Sequence, residues 1–351
     1  MKRQLLGVAA ILLSFSTYAQ DNPLWMRYCA ISPDGTTIAF TYKGDIYTVP
    51  STGGRASQIT TNPAHDTKPI WSPDGKKIAF ASDRMGSMDI FEVNKEGGIP
   101  KRLTTHSGNE TPVAYKDAGH ILFLANIMPT AEDAQFPSGQ FQQVYEVNTE
   151  GGRPVLFSSM PMEDISINHT GNTLLYHDKK GYEDPWRKHH TSSITRDIWL
   201  CSLNGNRTFR KQTAFNGEDR TPVWASDDKS FYYLSEEKGS FNIFKRDIDG
   251  NTSKQITNHT KHPVRFLSAA SNGTLCYGYD GEIYTVKEGA IPQKVQISIV
   301  TDKNDKDLIR QIKRSGATEI SLSPDAKEIA FVLRGDVYVT STEYSLSLIH
   351  I

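Results

Sequence analysis

Short apolar runs separated by polar turns recur along the whole chain. Residues 37–41 (Thr-Ile-Ala-Phe-Thr) follow the turn Ser-Pro-Asp-Gly at 32–35, and residues 77–81 (Lys-Ile-Ala-Phe-Ala) follow the same turn at 72–75. Short runs rich in β-branched and aromatic residues, bounded by Gly, Pro, Asp and Ser, are typical of β-strands. The pattern therefore predicts an all-β fold built from short antiparallel strands.

The turn belongs to a repeat that spans nearly the whole chain. Intact or weakened copies begin at Ser32, Ser72, Lys116, Asn168, Ser226, Ala270 and Ser323, in steps of 40 to 58 residues. A second motif, an acid or amide followed by Ile or Val and an aromatic residue, keeps phase with it and begins at Asp45, Asp89, Gln143, Asp197, Asn242, Glu282 and Asp336. A repeat of this length is typical of a four-stranded propeller blade.

The chemistry of the residues in one unit explains the repeated pattern of turns and strands. Proline presets φ and Asp-Gly supplies a side-chain acceptor and a residue free to take positive φ, so Ser-Pro-Asp-Gly favours a tight turn. Gly-Gly pairs at 53–54, 97–98 and 151–152 are predicted to turn the chain into the outer strand. Because one blade cannot bury both of its faces, the blades must pack around a common axis.

Counting the units predicts the domain organisation. Residues 20–300 are predicted to form a six-bladed β-propeller of four-stranded antiparallel blades. The charged stretch 301–316 is predicted to be a linker, and 317–345 to hold the first strands of a second propeller. The alternative is a single seven-bladed ring with a long last connection.

The two ends of the chain differ from the repeat. Lys2 and Arg3 precede an apolar stretch from Leu5 to Phe15, a pattern that predicts a signal peptide at 1–19 and an exported, soluble mature chain in the periplasm or outside the cell. The alternative is a buried N-terminal helix. The hexapeptide 346–351 resembles the translation of a common sequencing adapter and is predicted to be a non-native tail, the alternative being a genuine apolar strand.

Composition excludes several classes of function. The 39 Lys and Arg balance 40 Asp and Glu, which gives no basic footprint for nucleic acid, and no later segment resembles a membrane span. The three cysteines, Cys29, Cys201 and Cys276, are widely spaced and support neither a disulfide framework nor a zinc ribbon. They are expected to be buried structural thiols.

No motif of a hydrolase, metalloprotease, nucleotide-binding protein or dehydrogenase is present. The serines of the repeat are already explained by their turns. We therefore expect no catalytic, cofactor-binding or metal-binding residues in this chain.

The insertion in the fourth unit, residues 178–192, is the best candidate for binding. It contains Trp186, Arg187, His189 and His190, and propeller loops often carry the variable chemistry of the fold. We expect these four residues to contact a partner or a peptide. A metal site would need His189 or His190 with a nearby carboxylate, and adjacent histidines on an extended strand point to opposite faces. The alternative is a solvated loop.

The aspartates that open the second motif, Asp45, Asp89, Asp197 and Asp336, could suggest a ring of metal ligands. Their strict phase with the strand starts, and their replacement by Asn, Gln or Glu in other units, favours a structural role. Each is expected to accept backbone hydrogen bonds at a loop.

Together the Ser-Pro-Asp-Gly, Ile-Ala-Phe, Asp-Ile-aromatic and Leu-Thr series resembles the TolB-type propeller repeat, which periplasmic TolB, prolyl-oligopeptidase relatives and tricorn-type peptidases share. Two features narrow the resemblance to exported tricorn-like serine peptidases: the segment 179–190 before Arg196, and the restart of the repeat after Gly316. In that family two propellers, a PDZ domain and a serine-peptidase core follow in order.

The resemblance implies that this chain is a non-catalytic gate or sieve, since the family's catalytic residues map beyond Ile351. It implies as partners peptides and the downstream peptidase domains of the same chain, with a homo-oligomer left open and no cofactor. Two alternatives remain: a TolB-like exported propeller that binds a protein partner, and the propeller of a prolyl-oligopeptidase-type hydrolase.

Overall fold

The fold is described from a computed structural model that covers residues 23–127, 141–181, 194–300, 315–343 and 349–350. These residues form β-strands and turns, with no helix among them. The strands make seven four-stranded antiparallel sheets. Within each sheet a strand pairs with the next one along the chain, except that the first sheet skips the short strand Gly54–Arg55. The prediction of an all-β fold with four-stranded antiparallel blades is confirmed.

We call the first six sheets blades 1–6 and the last one sheet 7. Blade 1 contains β1 (Arg27–Ile31), β2 (Thr37–Tyr42), β3 (Asp45–Pro50) and β5 (Ser57–Gln58). Blade 2 contains β6 (Asp66–Trp71), β7 (Lys77–Ser82), β8 (Asp89–Asn94) and β9 (Lys101–Arg102). Blade 3 contains β10 (Thr111–Asp117), β11 (His120–Ala125), β12 (Gln143–Asn148) and β13 (Val155–Ser158). Blade 4 contains β14 (Met162–Ile167), β15 (Thr173–Asp178), β16 (Ile198–Ser202) and β17 (Thr208–Lys211).

Blade 5 contains β18 (Asp219–Trp224), β19 (Ser230–Ser235), β20 (Asn242–Asp247) and β21 (Ser253–Gln255). Blade 6 contains β22 (Arg265–Ala269), β23 (Leu275–Tyr279), β24 (Glu282–Val286) and β25 (Gln293–Lys294). Sheet 7 contains β27 (Ala317–Leu322), β28 (Glu328–Leu333), β29 (Asp336–Ser341) and β30 (Ile349–His350). A separate parallel pair is formed by β4 (Gly54–Arg55) and β26 (Ile297–Ser298).

The Ser-Pro-Asp-Gly turn folds as predicted. In blade 2 the backbone N–H of Gly75 donates to the Ser72 carbonyl (2.9 Å), and Gly75 takes a φ of 66°. The Ser72 hydroxyl donates to Asp74 (2.7 Å) and accepts from the Lys77 N–H (2.9 Å). Side-chain bonds of this kind replace backbone pairing at the reversal and fix the start of the next strand.

The threonine that ends most units has a recurring task. Its hydroxyl accepts a hydrogen bond from the isoleucine N–H of the Asp-Ile-aromatic motif, a buried donor that would otherwise lack a partner. The four bonds are Ile46 to Thr60 (2.9 Å), Ile90 to Thr104 (2.8 Å), Ile198 to Thr213 (3.0 Å) and Ile243 to Thr257 (2.9 Å). The outer strand is thereby locked to the strand beside it.

Apolar clusters lie between neighbouring blades. Phe40, Phe80 and Phe123 occupy equivalent positions and are completely buried. Burial of each such side chain stabilises the fold by roughly 2–3 kcal/mol. The packing of successive blades is therefore continuous around the ring.

Blade 6 lies directly against blade 1. The Ile31 N–H donates to Ser268 Oγ (3.0 Å), and the Met26 N–H donates to the Gly281 carbonyl (3.1 Å). β26 adds a parallel pairing with β4. Sheet 7 consequently does not lie between the first and the sixth blades.

Sheet 7 is more exposed than the blades. Every residue of β27 is exposed, and Arg334 Nη2 donates to the Pro63 carbonyl of the ring (3.0 Å). Within the hexapeptide predicted to be a tail, residues 349–350 pair with β29 as the fourth strand. The predicted signal peptide and most of the predicted linker lie outside the described residues.

Candidate functional site

The innermost strand of every blade contains a β-bulge. A bulge adds a residue to one strand of a pair and turns its side chain out of the regular alternation. The irregularities fall at 27–30, 67–70, 112–114, 163–166, 220–223 and 265–268. Six bulges at equivalent places point to a constraint shared by all blades.

Five of the bulges hold a residue other than glycine in the left-handed region. These residues are Tyr28, Lys68, Asp164, Thr221 and Phe266, with φ between 48° and 57°. This conformation costs about 1–2 kcal/mol for a residue with a Cβ. All five side chains line a common cavity, so the strain accompanies their placement around the axis.

The cavity has a volume of about 540 Å³ and is lined by residues of all six innermost strands. Its size falls in the range of sites that hold small molecules. Blade 3 contributes Thr111, Pro112 and Val113, and blade 6 contributes Arg265 and Phe266. We take this central cavity as the candidate functional site.

Blade 4 gives the cavity a charged wall centred on Glu163. Lys179 Nζ donates to Glu163 Oε1 (2.8 Å), while His177 Nε2 and Arg196 Nε lie 3.3 and 3.5 Å from Oε2. Burial alone would raise the pKa of Glu163, but the His177 and Lys179 contacts outweigh it and hold the pKa well below its usual range. The carboxylate therefore stays ionised.

A second carboxylate lies behind this wall and holds two arginines. Glu218 is completely buried, and its Oε1 lies 2.9 Å from Nη1 of Arg196 and 3.5 Å from Nη1 of Arg220. The Arg220 guanidinium also stacks 4.1 Å from the centre of the Phe241 ring. Both arginines are thus fixed in position at the surface of the cavity.

His177 connects blades 4 and 5. The Thr221 N–H donates to His177 Nδ1 (3.2 Å), so that Nε2 carries the hydrogen that faces Glu163. The Thr221 hydroxyl donates to Asp164 Oδ2 (2.6 Å). The bulges of the two blades are therefore joined by one hydrogen-bonded chain.

The cavity has an aromatic section at the junction of blades 1 and 6. The Tyr28 and Phe266 rings lie 4.8 Å apart, and Lys68 Nζ lies 5.8 Å from the centre of the Tyr28 ring. A peptide in this cavity would meet apolar rings on one part of the wall and fixed charges on another. That combination can orient a chain with charged ends.

The cavity offers no activated nucleophile among the described residues that line it. Ser268 Oγ accepts from the Ile31 N–H (3.0 Å) and donates to the Cys276 carbonyl (3.4 Å). Ser166 Oγ accepts from the Trp224 N–H (3.4 Å). Both hydroxyls are engaged by backbone groups, whereas covalent catalysis needs a base beside the hydroxyl.

The four residues predicted to contact a partner, Trp186, Arg187, His189 and His190, lie in the segment 182–193, outside the described residues. The described flanks of that insertion do reach the site. Lys179 at its start and Arg196, which follows it in the chain, both line the cavity.

The motif aspartates have structural partners, as predicted, but the kind of partner differs. Side chains, rather than the backbone donors predicted, contact three of them. These contacts are Asp45 with Gln58 Nε2 (3.1 Å) and Thr60 Oγ1 (3.3 Å), Asp89 with Arg102 Nη2 (2.8 Å), and Asp197 with Lys211 Nζ (2.8 Å). The equivalent Asn242 has the predicted type of bond, from the His259 N–H (2.7 Å). Over the part of the chain that the structure describes, no group of three or more His, Cys, Asp or Glu could hold a metal ion.

The sequence analysis missed the bulges and the charged wall. One signal for the bulges was present, because Pro69 and Pro222 are the fourth residues of two innermost strands and Pro112 is the second residue of a third. A proline cannot donate to the sheet and marks an irregularity in a strand. The Glu163 cluster had no local signal, since its members come from separate strands.

Across the described ranges, no helix is long and apolar enough to cross a membrane.

Comparison with known proteins gives a family match over most of the chain. Residues 23–290 match the tricorn protease N-terminal beta propeller domain. The chain is 25% identical over 281 residues to tricorn protease homolog 1 of Streptomyces coelicolor, covering 79% of this chain and 25% of that protein. It is 27% identical over 295 residues to a tricorn protease homolog of Saccharolobus solfataricus, covering 80% and 26%.

A solved structure shows the same fold. The crystal structure of the tricorn protease matches 93% of this chain and 31% of its own, with a TM-score of 0.67 and 21% sequence identity. The chain spans about a quarter of the length of the two curated relatives that it matches.

Proposed function

This chain belongs to the family of tricorn protease N-terminal β-propeller domains, and from that premise we propose that it is the non-catalytic gate of an exported tricorn-like serine peptidase. The whole protein would cleave oligopeptides by acyl transfer to a serine located downstream. The present chain would control which peptides reach or leave that centre.

The central cavity carries this proposal. Its lining is built from six bulges, five of them strained, that place side chains around the axis, and its size suits a short peptide. A gate needs a defined constriction without chemistry of its own, and the engaged hydroxyls of Ser166 and Ser268 agree with that requirement.

The charges suggest how peptides would be sorted. Lys179, Arg196 and Arg220 are fixed around Glu163 and Glu218, so a peptide carboxylate would meet donors that are already oriented. The aromatic pair Tyr28–Phe266 offers a surface for apolar side chains.

Other parts of the proposal rest on the sequence. The positively charged and apolar segments of residues 1–19 support export, and the charged stretch 301–316 with the repeat in sheet 7 supports a linker followed by a second propeller. The partners would be peptides and the downstream domains of the same chain, with assembly into a homo-oligomer. Trp186, Arg187, His189 and His190 would contact a partner or the peptide, as the sequence predicts.

Photo-cross-linking of the full-length protein tests the gate. Oligopeptides that carry benzoylphenylalanine would be irradiated with the protein, and the labelled fragments would be mapped by mass spectrometry. We expect adducts in β1, β6, β10, β14, β18 or β22. Adducts confined to the outer strands of the blades would contradict the proposal.

The non-catalytic part is tested with the present chain alone. Incubated with the same peptides, it should leave them uncleaved. Cleavage that a serine-directed reagent abolishes would overturn the assignment of a gate without chemistry.

A further inference from the structure

Blades 1 and 6 meet where the first and last blades of the ring are joined, and two cysteines lie there. Cys29 belongs to β1 and Cys276 to β23. Both are buried, with 4% and 0% exposure, and both belong to one hydrophobic cluster built from the two blades. We call this contact between blades 1 and 6 the seam.

The two cysteines lie in the same buried cluster at the seam. Burial, followed by the neighbouring Cys29 thiol, raises the pKa of Cys276. Cys29 Sγ also lies 3.5 Å from the Phe266 carbonyl oxygen, to which it can donate.

Neighbouring bonds fix the strands that carry the two cysteines. Ser268 Oγ donates to the carbonyl of Cys276 (3.4 Å) and accepts from the N–H of Ile31, two residues after Cys29 (3.0 Å). One serine of blade 6 therefore ties both strands together. This contact holds the cysteine backbones in register across the seam.

We infer that Cys29 and Cys276 form a disulfide bond that closes the propeller ring covalently. The oxidant is a disulfide of a small thiol or of a thiol–disulfide exchange protein. One cysteine thiolate attacks this disulfide and releases one thiol, and the second thiolate then attacks the mixed disulfide and releases the other. The two cysteines lose two electrons and two protons, and the oxidant is reduced to two thiols.

The position of the bond gives it a large effect on stability. It would link residues about 250 positions apart, and a cross-link that closes a long loop restricts the unfolded chain most strongly. Because Cys276 is completely buried in the closed ring, we expect its thiol to be oxidised before the seam closes. The bond would therefore form while the chain folds.

The third cysteine provides an internal control. Cys201 is buried in blade 4 and its thiol lies 3.5 Å from the Ser202 carbonyl oxygen, to which it can donate. It has no place in the seam and is expected to remain a free thiol. The proposal therefore predicts one specific pair out of three.

The test refolds the protein in oxidised glutathione, blocks free thiols with a maleimide in denaturant, and maps the peptides without reductant. We expect one blocked cysteine, Cys201, and one cross-linked peptide pair that contains Cys29 and Cys276. Cys201→Ala should retain the cross-link. Three blocked cysteines, or a cross-link that includes Cys201, would overturn the proposal.

A melting experiment separates the bond from the packing of the thiols. Reductant should lower the Tm of the oxidised protein by roughly 5–10 °C, and it should leave the Tm of Cys29→Ala/Cys276→Ala unchanged. An equal response of the two proteins would also overturn the proposal. The test uses an added oxidant, so it does not depend on the proposed export.

Discussion

Replacing Asp219 by Asn should remove a large part of the pH dependence of stability. Carboxyl groups meet in pairs at three junctions between blades, one from the Asp-Ile-aromatic motif and one from the first residues of the next blade. These pairs are Asp45 with Asp66, Asp89 with Glu110, and Asp197 with Asp219. Burial, with a contribution from the neighbouring carboxylate Asp197, raises the pKa of Asp219 to about 7.

The sign of the effect follows from the raised pKa. The folded protein binds the Asp219 proton more tightly than the unfolded chain, so this proton stabilises the fold at low pH and the stabilisation is lost as the pH rises from about 4 to 7. Between pH 5 and pH 8 the loss attributable to Asp219 is roughly 2.5 kcal/mol. An Asn side chain stays neutral throughout, like the protonated acid, and should escape this loss.

The assay is urea unfolding followed by tryptophan fluorescence at pH 5, 6, 7 and 8. The wild type should lose free energy of unfolding across this range, and Asp219→Asn should lose roughly 2.5 kcal/mol less. Asp247→Asn, at the exposed end of β20 in the same blade, serves as the control and should follow the wild type. The reasoning is refuted if Asp219→Asn and the wild type lose the same free energy between pH 5 and pH 8.

Two further substitutions test single contacts. Glu163→Gln should destabilise the protein by about 2 kcal/mol at pH 7, because Lys179 and its neighbours lose their counter-charge. The difference in free energy of unfolding between the variant and the wild type should narrow below pH 4.5. In that range the lowered pKa of Glu163 makes the wild type lose the same contribution as its carboxylate is protonated. A difference that stays constant down to pH 2 would contradict this. Thr104→Val should lower the free energy of unfolding in urea by about 1–3 kcal/mol, since the buried Ile90 N–H loses its acceptor. The control, Thr208→Val on the exposed β17, should change stability by less than about 0.5 kcal/mol. Equal effects of the two substitutions would refute the role of the Thr104 hydroxyl.

The fold was predictable because each unit is specified locally. The Ser72 turn is closed by residues within five positions of it, and in five of the seven units the Asp-Ile-aromatic motif begins 12 to 17 residues after the start of the turn. Such features repeat seven times in phase, so a single sequence reveals the blades. The family resemblance pointed to the same propeller, and the match over residues 23–290 confirms it.

The interior of the ring was not predictable in the same way. The bulge at Asp164 has no local marker, and Glu163 meets Lys179 and Arg196 only because β14, β15 and β16 lie side by side. Long-range contacts of this kind depend on how the strands and blades pack around the axis. The partners of Asp45 were missed for a related reason, since they come from the next strand of the blade.

Peptide cleavage by the full-length protein with a narrowed cavity tests the central claim most directly. Thr111→Trp places a large side chain on the lining of the cavity, and Thr208→Trp places the same side chain on an exposed outer strand. Peptides of 4 and 12 residues would be compared by kcat/KM. The account predicts that Thr111→Trp lowers the ratio of long-peptide to short-peptide cleavage by about tenfold, equivalent to about 1.4 kcal/mol, while Thr208→Trp leaves the ratio unchanged. An unchanged ratio in Thr111→Trp would contradict the assignment of this propeller as a gate.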